Sequence, residues 1–301
     1  PQSDGEVAVK FATRHGLIHA DLNVGARVGG AQPLAANAGL CFQGMNLVGR
    51  GFRLTAEDVR GLGYDTDALP EVIKPHCNAR DMMQGGGHCY VIDLFGLTVD
   101  EALRAHPPLY QWLFDRVKPE RDQNNRASRR RNWWLFGEPV GRLRRAWAGL
   151  ARIIVTPETS KHRVFAFQSP PFCPDHKRYS ISCNQGYVLG LLSSIEHLIW
   201  PLRAGGTLED RPTWTNTTTF LRFPFPADDS GLTPELYGRI SELAERIDAL
   251  RKSQQAAHAD LTLTGMYNVL EKLRQGEALT PAERTIHDHG LVTVLRALHD
   301  A

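Results

Sequence analysis

Long apolar runs are missing from this sequence. Nothing in its 301 residues approaches the 18 or so uninterrupted apolar positions that a helix needs to cross a bilayer. The start, Pro1-Gln2-Ser3-Asp4-Gly5-Glu6, lacks the basic residues and apolar stretch of a secretory signal. The expectation is a cytoplasmic protein with no membrane partner. Cysteine is sparse and odd in number, five residues scattered at 41, 77, 89, 173 and 183, in a chain long enough to build its own core. Reduced thiols are expected in place of a disulfide framework.

A complete catalytic signature is missing as well. There is no Gly-x-Ser-x-Gly elbow and no dinucleotide glycine fingerprint after a clear strand, and the glycines between 44 and 51 carry no Gly-Lys-Ser/Thr. His76-Cys77 and His88-Cys89 supply four zinc-ligand types, the basis of a rival reading as a self-contained zinc hydrolase. Adjacent ligands on a strand point to opposite faces, which suits one site poorly. His287-Asp288-His289 has no Glu at metalloprotease spacing and reads as a solvated helix end. No catalytic or metal residue is expected in this chain.

Net charge is almost absent, and that absence is a cancellation. The sum is +2, from 35 Lys+Arg against 33 Asp+Glu. Residues 227–301 hold 12 acidic and 8 basic side chains, net −4, so residues 1–226 carry +6. Within these, residues 116–145 hold 10 basic and 3 acidic side chains, net +7. A local basic field of that size points to a polyanionic partner. Hydrophobic residues at 42% and charged residues at 23% are ordinary globular usage and exclude a disordered chain.

What is present divides at Phe223-Pro224-Phe225-Pro226. Residues 1–97 show short apolar alternations, such as Val7-Ala8-Val9-Lys10-Phe11 and Tyr90-Val91-Ile92-Asp93-Leu94-Phe95, punctuated by glycine, with one brief helix after Thr55. Thr98-Val99-Asp100-Glu101 has capping-box spacing and predicts a helix over 103–117, ended by Lys118-Pro119. Strands are expected at 152–156 and 164–167, then an apolar helix over 185–203 stopped at Gly205-Gly206. After Pro226, apolar residues at 236, 240, 243, 247 and 250 keep helical spacing, a second helix is expected over 263–275, and Thr280-Pro281-Ala282-Glu283 opens a third. The expected fold is an α/β (α+β) domain over 1–226, then a small all-α helical domain over 227–301, acidic and facing away from a polyanion.

Three polar clusters carry the chemistry. The first runs from Lys118 through Arg121, Asn124, Asn125, Arg126, Arg129, Arg130, Arg131 and Asn132 to Trp133-Trp134. Its cations suit phosphates, its asparagines suit phosphates or base edges, and its tryptophans offer stacking surface or core. A solvated basic loop is the plain alternative. The second, 156–163, sets hydroxyls beside Lys161, His162 and Arg163 between two strands and reads as a phosphate-contacting loop or a hydrophilic turn. The third, 205–219, is dense in short hydrogen-bonding side chains with one Glu, one Asp and one Arg, groups that discriminate base edges, unless it is a plain surface loop. A protein-interaction module docking through its acidic helices is a further reading.

Several ordered runs together resemble a family. Asn37-Ala38-Gly39-Leu40-Cys41-Phe42-Gln43-Gly44, Leu47-Val48-Gly49-Arg50-Gly51-Phe52, Val72-Ile73-Lys74-Pro75, Tyr90 to Gly96, Lys118-Pro119-Glu120-Arg121 through Trp133-Trp134, Thr156-Pro157-Glu158 with Lys161-His162-Arg163, and Phe223-Pro224-Phe225-Pro226 are similar to the C-terminal part of MmeI-like type IIL/IIG restriction–modification enzymes. The resemblance implies a target recognition domain followed by a helical C-terminal domain. The partners implied are double-stranded DNA and an upstream adenine-N6 methyltransferase domain of the same prokaryotic polypeptide, acting as a monomer. S-adenosylmethionine, and Mg where the parent cleaves DNA, would be held elsewhere. The Phe-x-Gly-x-Gly and Asn-Pro-Pro-Tyr/Phe loops of the methyltransferase are not in this sequence, and a start at Pro1 fits a piece of a longer chain. A methyltransferase-only phage-defence parent is the alternative. The resemblance assigns Lys118, Arg121, Asn124, Asn125, Arg126, Arg129, Arg130, Arg131, Asn132, Lys161, His162 and Arg163 to backbone contact or to holding the loops. It assigns base reading to Glu209, Asp210, Arg211, Thr213 and Asn216, where such modules vary. Ser128-Arg129-Arg130-Arg131 is more basic than the family pattern.

Overall fold

A computed structural model describes residue 15 and residues 30–85, 89–204, 207–208, 211–227 and 230–301. The strand expected at 7–11, His88, Gly205-Gly206, Glu209 and Asp210 lie outside the described residues. In chain order the first half forms β1 (Cys41–Gln43), β2 (Arg53–Thr55), α1 (Ala56–Gly61), β3 (Ile73–Cys77), α2 (Ala79–Gln84), β4 (Cys89–Ile92), α3 (Val99–Ala105), α4 (Pro107–Arg116), α5 (Lys118–Asp122), α6 (Ala127–Arg131) and α7 (Gly141–Ala146). Then come β5 (Ile153–Pro157), β6 (Ala166–Gln168), β7 (Cys173–Pro174), β8 (Arg178–Ile181), α8 (Gly186–Ser193), α9 (Ile195–Ala204) and a ribbon of β9 (Thr207–Leu208) and β10 (Arg211–Pro212). The chain ends in α10 (Pro234–Ala257), α11 (Leu263–Gln275), α12 (Pro281–His289) and α13 (Val292–Asp300). The α+β part followed by helices is the expected fold.

Two four-stranded sheets organise the molecule, ordered β1-β8-β5-β6 and β2-β4-β3-β7. Every pairing is antiparallel except β3 with β7. β5 and β8 are interior strands and all their residues are buried, which is why β5 reads as an unbroken run without the alternation of a half-exposed strand. The second sheet packs under α3, α4 and α7 around Phe52, Leu109, Leu113 and Leu143. The first sheet packs against α8 around Phe165, Trp214 and Phe220.

Helix starts follow the sequence closely. Thr55, Asn78, Thr98 and Thr280 each form a reciprocal capping box with the acidic residue three positions on. Two expectations are corrected. The helix predicted over 103–117 begins at Val99 and breaks at His106, where Pro107 starts α4, and Lys118-Pro119 opens α5 where a helix end was expected. Proline lacks the N–H that a first turn leaves unpaired anyway, so it suits both places. The helix expected over 185–203 divides at Ser194, whose ψ of 158° is extended. A fourth C-terminal helix, α13, was not foreseen.

Packing continues across Pro226. Gly186 and Gly190 let α10 approach α8 closely, since a Cβ on Gly190 would stand 2.5 Å from Ile240 Cγ2. Arg152 pairs with Glu245, and Arg251 Nη2 donates to Phe165 O at 2.8 Å.

Two predictions follow from this packing. A Cβ on Gly44 would lie 2.1 Å from the Asp175 carbonyl oxygen, whereas one on Gly238 in α10 meets nothing within 4 Å. Gly44→Ala therefore lowers unfolding free energy by about 1–3 kcal/mol or more, and Gly238→Ala raises it by about 0.4–1 kcal/mol, read by denaturant titration. His197 is buried among Phe165, Trp214 and Phe223, with Nδ1 2.8 Å from Leu192 O and Nε2 accepting from Trp214 Nε1–H at 3.4 Å. Both contacts suit the neutral ring, and burial pulls its pKa down to about 4. A pKa depressed on folding gives stability that is present above the unfolded value near 6.5 and is lost as pH falls toward 4. Unfolding free energy should drop across that window, and His197→Gln should flatten the drop.

Candidate nucleic-acid interface

The basic segment is anchored from inside. Arg121 has 0% exposure, and its Nη2 donates to Leu47 O at 2.9 Å and Leu135 O at 3.0 Å. Its place among backbone contacts is corrected: a fully buried guanidinium cannot reach a phosphate, and here it holds two loops together. The same loops are joined by a short antiparallel bridge between Asn46 and Glu138. Trp133 is core at 7% exposure, and half-buried Trp134 donates to Leu97 O at 2.9 Å, so neither offers a free stacking face.

Around this anchor the remaining candidates face outward. Asn125, Arg126, Arg130, Arg131 and Asn132 are exposed. Asn124 is half-buried and its Oδ1 accepts from the Arg126 N–H at 3.0 Å, a local turn that shapes the start of α6. Arg126 and Arg129 both reach Glu138, at 3.8 and 3.2 Å, and Lys118 pairs with Asp122 at 2.6 Å. Arg131 has no ion pair or side-chain hydrogen bond among the described residues.

The second and third clusters meet. Arg163 Nη1 donates to Pro157 O, and Nη2 donates to Glu158 O at 3.2 Å and to Pro212 O at 3.0 Å. Thr159 bridges Thr213, and the Trp214 N–H donates to Glu158 O at 2.8 Å. The β9–β10 ribbon is thus fastened to the end of β5. Arg211 stands exposed on it, and Thr213 and Asn216 are half-buried just beyond. With its donors on loop carbonyls, Arg163 is removed from the backbone contacts and becomes a positioning residue. Lys161 and His162 turn toward α11: Lys161 Nζ donates to Asn268 Oδ1 at 2.8 Å and pairs with Glu271 at 3.3 Å, and His162 Nε2 lies 2.8 Å from the same Asn268 oxygen.

A turn that was not singled out from the sequence joins the two areas. Between β7 and β8, Lys177 reaches Glu158 at 3.3 Å, and His176 lines a cleft of about 140 Å³ with Asn46, Arg50, Arg53 and Glu120. Its sequence signal was Asp175-His176-Lys177 after Pro170, Pro171 and Pro174, a polar turn ahead of a buried strand. A continuous band results, from α6 through Asn46, Arg53 and Lys177 to the ribbon. It combines loop-borne cations with short polar groups, the mix that contacts phosphates and base edges.

Of the four residues in the zinc reading, His88 lies outside the described residues. Among the described residues no three His, Cys, Asp or Glu side chains come together at ligand spacing. Cys77 Sγ accepts from Gln168 Nε2 at 3.0 Å, while the Cys89 thiol faces its neighbour's carbonyl, Tyr90 O, at 3.6 Å. Burial raises the pKa of the Cys41, Cys89, Cys173 and Cys183 thiols, which keeps them protonated and poorly nucleophilic. No described helix is long and apolar enough to cross a membrane.

No family model matches the chain, and no curated protein matches it in sequence. Among solved structures it is similar to the type IIL restriction–modification enzyme MmeI, determined in complex with DNA, with a TM-score of 0.62 at 16% identity over 98% of this chain and 34% of that one. The chain therefore spans about a third of that enzyme's length, and at this identity the likeness establishes the fold: an α+β part followed by helices, shared with a restriction–modification enzyme.

Proposed function

We propose that this chain is the double-stranded-DNA target-recognition part of a restriction–modification enzyme. The observation that carries the reading is the loop-borne basic band, set in a fold shared with an enzyme whose structure was determined in complex with DNA. In this reading Asn125, Arg126, Arg130, Arg131 and Asn132, with Arg50, Arg53 and Lys177, contact phosphates and fix register. Arg211, Thr213 and Asn216 on and beside the ribbon read base edges, with Glu209 and Asp210 assigned by their sequence position. The parent protein would be a cytoplasmic, monomeric, S-adenosylmethionine-dependent adenine-N6 methyltransferase of a prokaryote, with or without a Mg-dependent nuclease. The cofactor loops are absent from this sequence, so cofactor, metal and chemistry fall to the rest of such an enzyme. Its target adenine would be turned out of the duplex for methylation.

Filter binding to duplexes selected from a random pool tests the reading. Affinity should fall steeply with salt, because each neutralised phosphate releases condensed counterions. Salt-independent binding, or no binding to any duplex, would sink it. Arg131→Ala should weaken all duplexes alike and lower the salt slope by about one. Arg211→Ala should relax discrimination at one base pair by roughly 1–3 kcal/mol, and an equal loss on every sequence would make it a phosphate contact. Arg163→Lys should bring specific binding down toward the non-specific level while the non-specific affinity and salt slope stay put, since an ammonium cannot span three carbonyls as a planar fork does. Parallel loss of both kinds of binding would assign Arg163 a general structural role.

A further inference from the structure

Between the two sheets and the middle of α10 lies a cavity of about 430 Å³, lined in part by His76, Cys77, Gln168, Arg178, Arg251 and Lys252. That volume is within the range of small-molecule sites. Its cations differ in how they are compensated. Arg251 has Asp248 at 3.6 Å, the Tyr267 hydroxyl at 3.1 Å and Phe165 O at 2.8 Å, and Lys252 has Asp248 at 2.6 Å. Asp248 also accepts from the Phe167 N–H at 3.3 Å, so its oxygens are engaged.

Arg178 is 2% exposed and has no carboxylate within 4.0 Å among the described residues. Its guanidinium reaches the Gln168 carboxamide oxygen at 2.6 Å and the Met82 sulfur at 3.8 Å, and its Nε has no acceptor. The other inward-turned arginines, Arg121 and Arg163, are met by two and three backbone carbonyls. Arg178 has one strong acceptor and an open cavity, with Asp81 and Asp175 as counter-charges beyond ion-pair distance. A desolvated guanidinium costs several kcal/mol unless hydrogen bonds and counter-charge offset it. Beside it His76, 3% exposed, lacks a hydrogen-bond partner for Nε2, with Asp175 at 3.7 Å. Burial holds that ring neutral, with a pKa pulled down to about 4, so it can hydrogen-bond without adding charge.

We propose that this cavity binds a small oxyanion, the carboxylate or phosphate group of a metabolite-sized ligand, with Arg178 as charge partner and His76 and Gln168 as hydrogen-bonding neighbours. The site is separate from the basic band and goes beyond DNA recognition. Its lining draws on β3, α2, β4, β5, β6, β8 and α10, so an occupant would tie the helical part to both sheets.

Thermal unfolding of the full chain tests this with inorganic phosphate and with acetate, each against chloride at constant ionic strength. Binding to the folded state alone should raise Tm by about 2–4 °C with the better-fitting oxyanion. Whichever anion gives the larger shift distinguishes phosphate from carboxylate chemistry. Gln168→Glu sets a permanent carboxylate against Arg178. It should unfold at a higher temperature than the parent in chloride and show no oxyanion shift. Arg178→Met should also lose the shift, and DNA binding by both variants should be unchanged. Equal Tm in all three salts would mean a water-filled cavity and would overturn the proposal. So would an undiminished oxyanion shift in Gln168→Glu, because the anion would then sit elsewhere, such as on the basic band.

Discussion

Arg163 stands where the end of β5, the 157–159 loop and the base of the β9–β10 ribbon converge, and its guanidinium donates to a carbonyl from each side. Carbonyls of irregular backbone have no ladder partner, and leaving one buried and unpaired costs about 1–3 kcal/mol. One planar group with five donors in a fixed fork meets carbonyls at the ends of β5 and β10 and in the loop after β5, and allows few arrangements while doing so. Arg121 does the same between the 47 and 135 loops. The loops that form the outward band are therefore not independent of the sheets. They are bolted to them by side chains pointing the other way, so polar groups on short irregular segments can keep a fixed register, the requirement for reading a duplex.

This use of arginine changes what the net charge of the basic segment means. Of its ten cations, Arg121 is internal and Arg144 lies against Asp93, which also holds Lys74 at 2.8 Å. Lys118 and Arg129 are paired with Asp122 and Glu138. Two of the segment's three acids, Asp122 and Glu138, are taken up in such pairs, and with only Glu120 left against exposed Arg130, Arg131, Arg142 and Arg145 the outward side remains basic. Exposed pairs such as Lys118 with Asp122 contribute about 0–1 kcal/mol, so a phosphate can displace the carboxylate at little cost. They act as a placeholder for an anion as much as a stabilising contact.

Capped helices and apolar strands were legible from sequence because their signals are local. Thr280 with Glu283 specifies a start, Gly276 at φ 72° specifies an end, and α11 falls on the predicted 263–275. What was not legible is whether an arginine points in or out. Arg121 and Arg131 are both basic residues of one segment, and only packing against Phe52 and the 47 and 135 carbonyls turns the first inward. The strand β8 was missed for a related reason: it carries Arg178 and Ser180, both buried, and a polar residue in a fully buried strand breaks the pattern that marks one. The junction of the second and third clusters was invisible because some fifty residues separate Arg163 from Pro212.

The acidic balance of the last 75 residues has a structural use that composition alone does not suggest. Its carboxylates reach back: Glu245 to Arg152, Glu271 to Lys161, and Asp248 to the N–H of Phe167 on β6, the edge strand of the first sheet. An open edge is a template for unwanted pairing, and here α10 sets a carboxylate and the Arg251 guanidinium against it. The opposite charges of the two parts thus serve assembly before they serve any partner. The basic part is neutralised along the seam, where its cations meet these carboxylates, and stays basic along the band, where among the described residues none of the helical carboxylates pairs with a cation. A field confined in that way favours one orientation of an approaching polyanion, along the band from α6 to the ribbon.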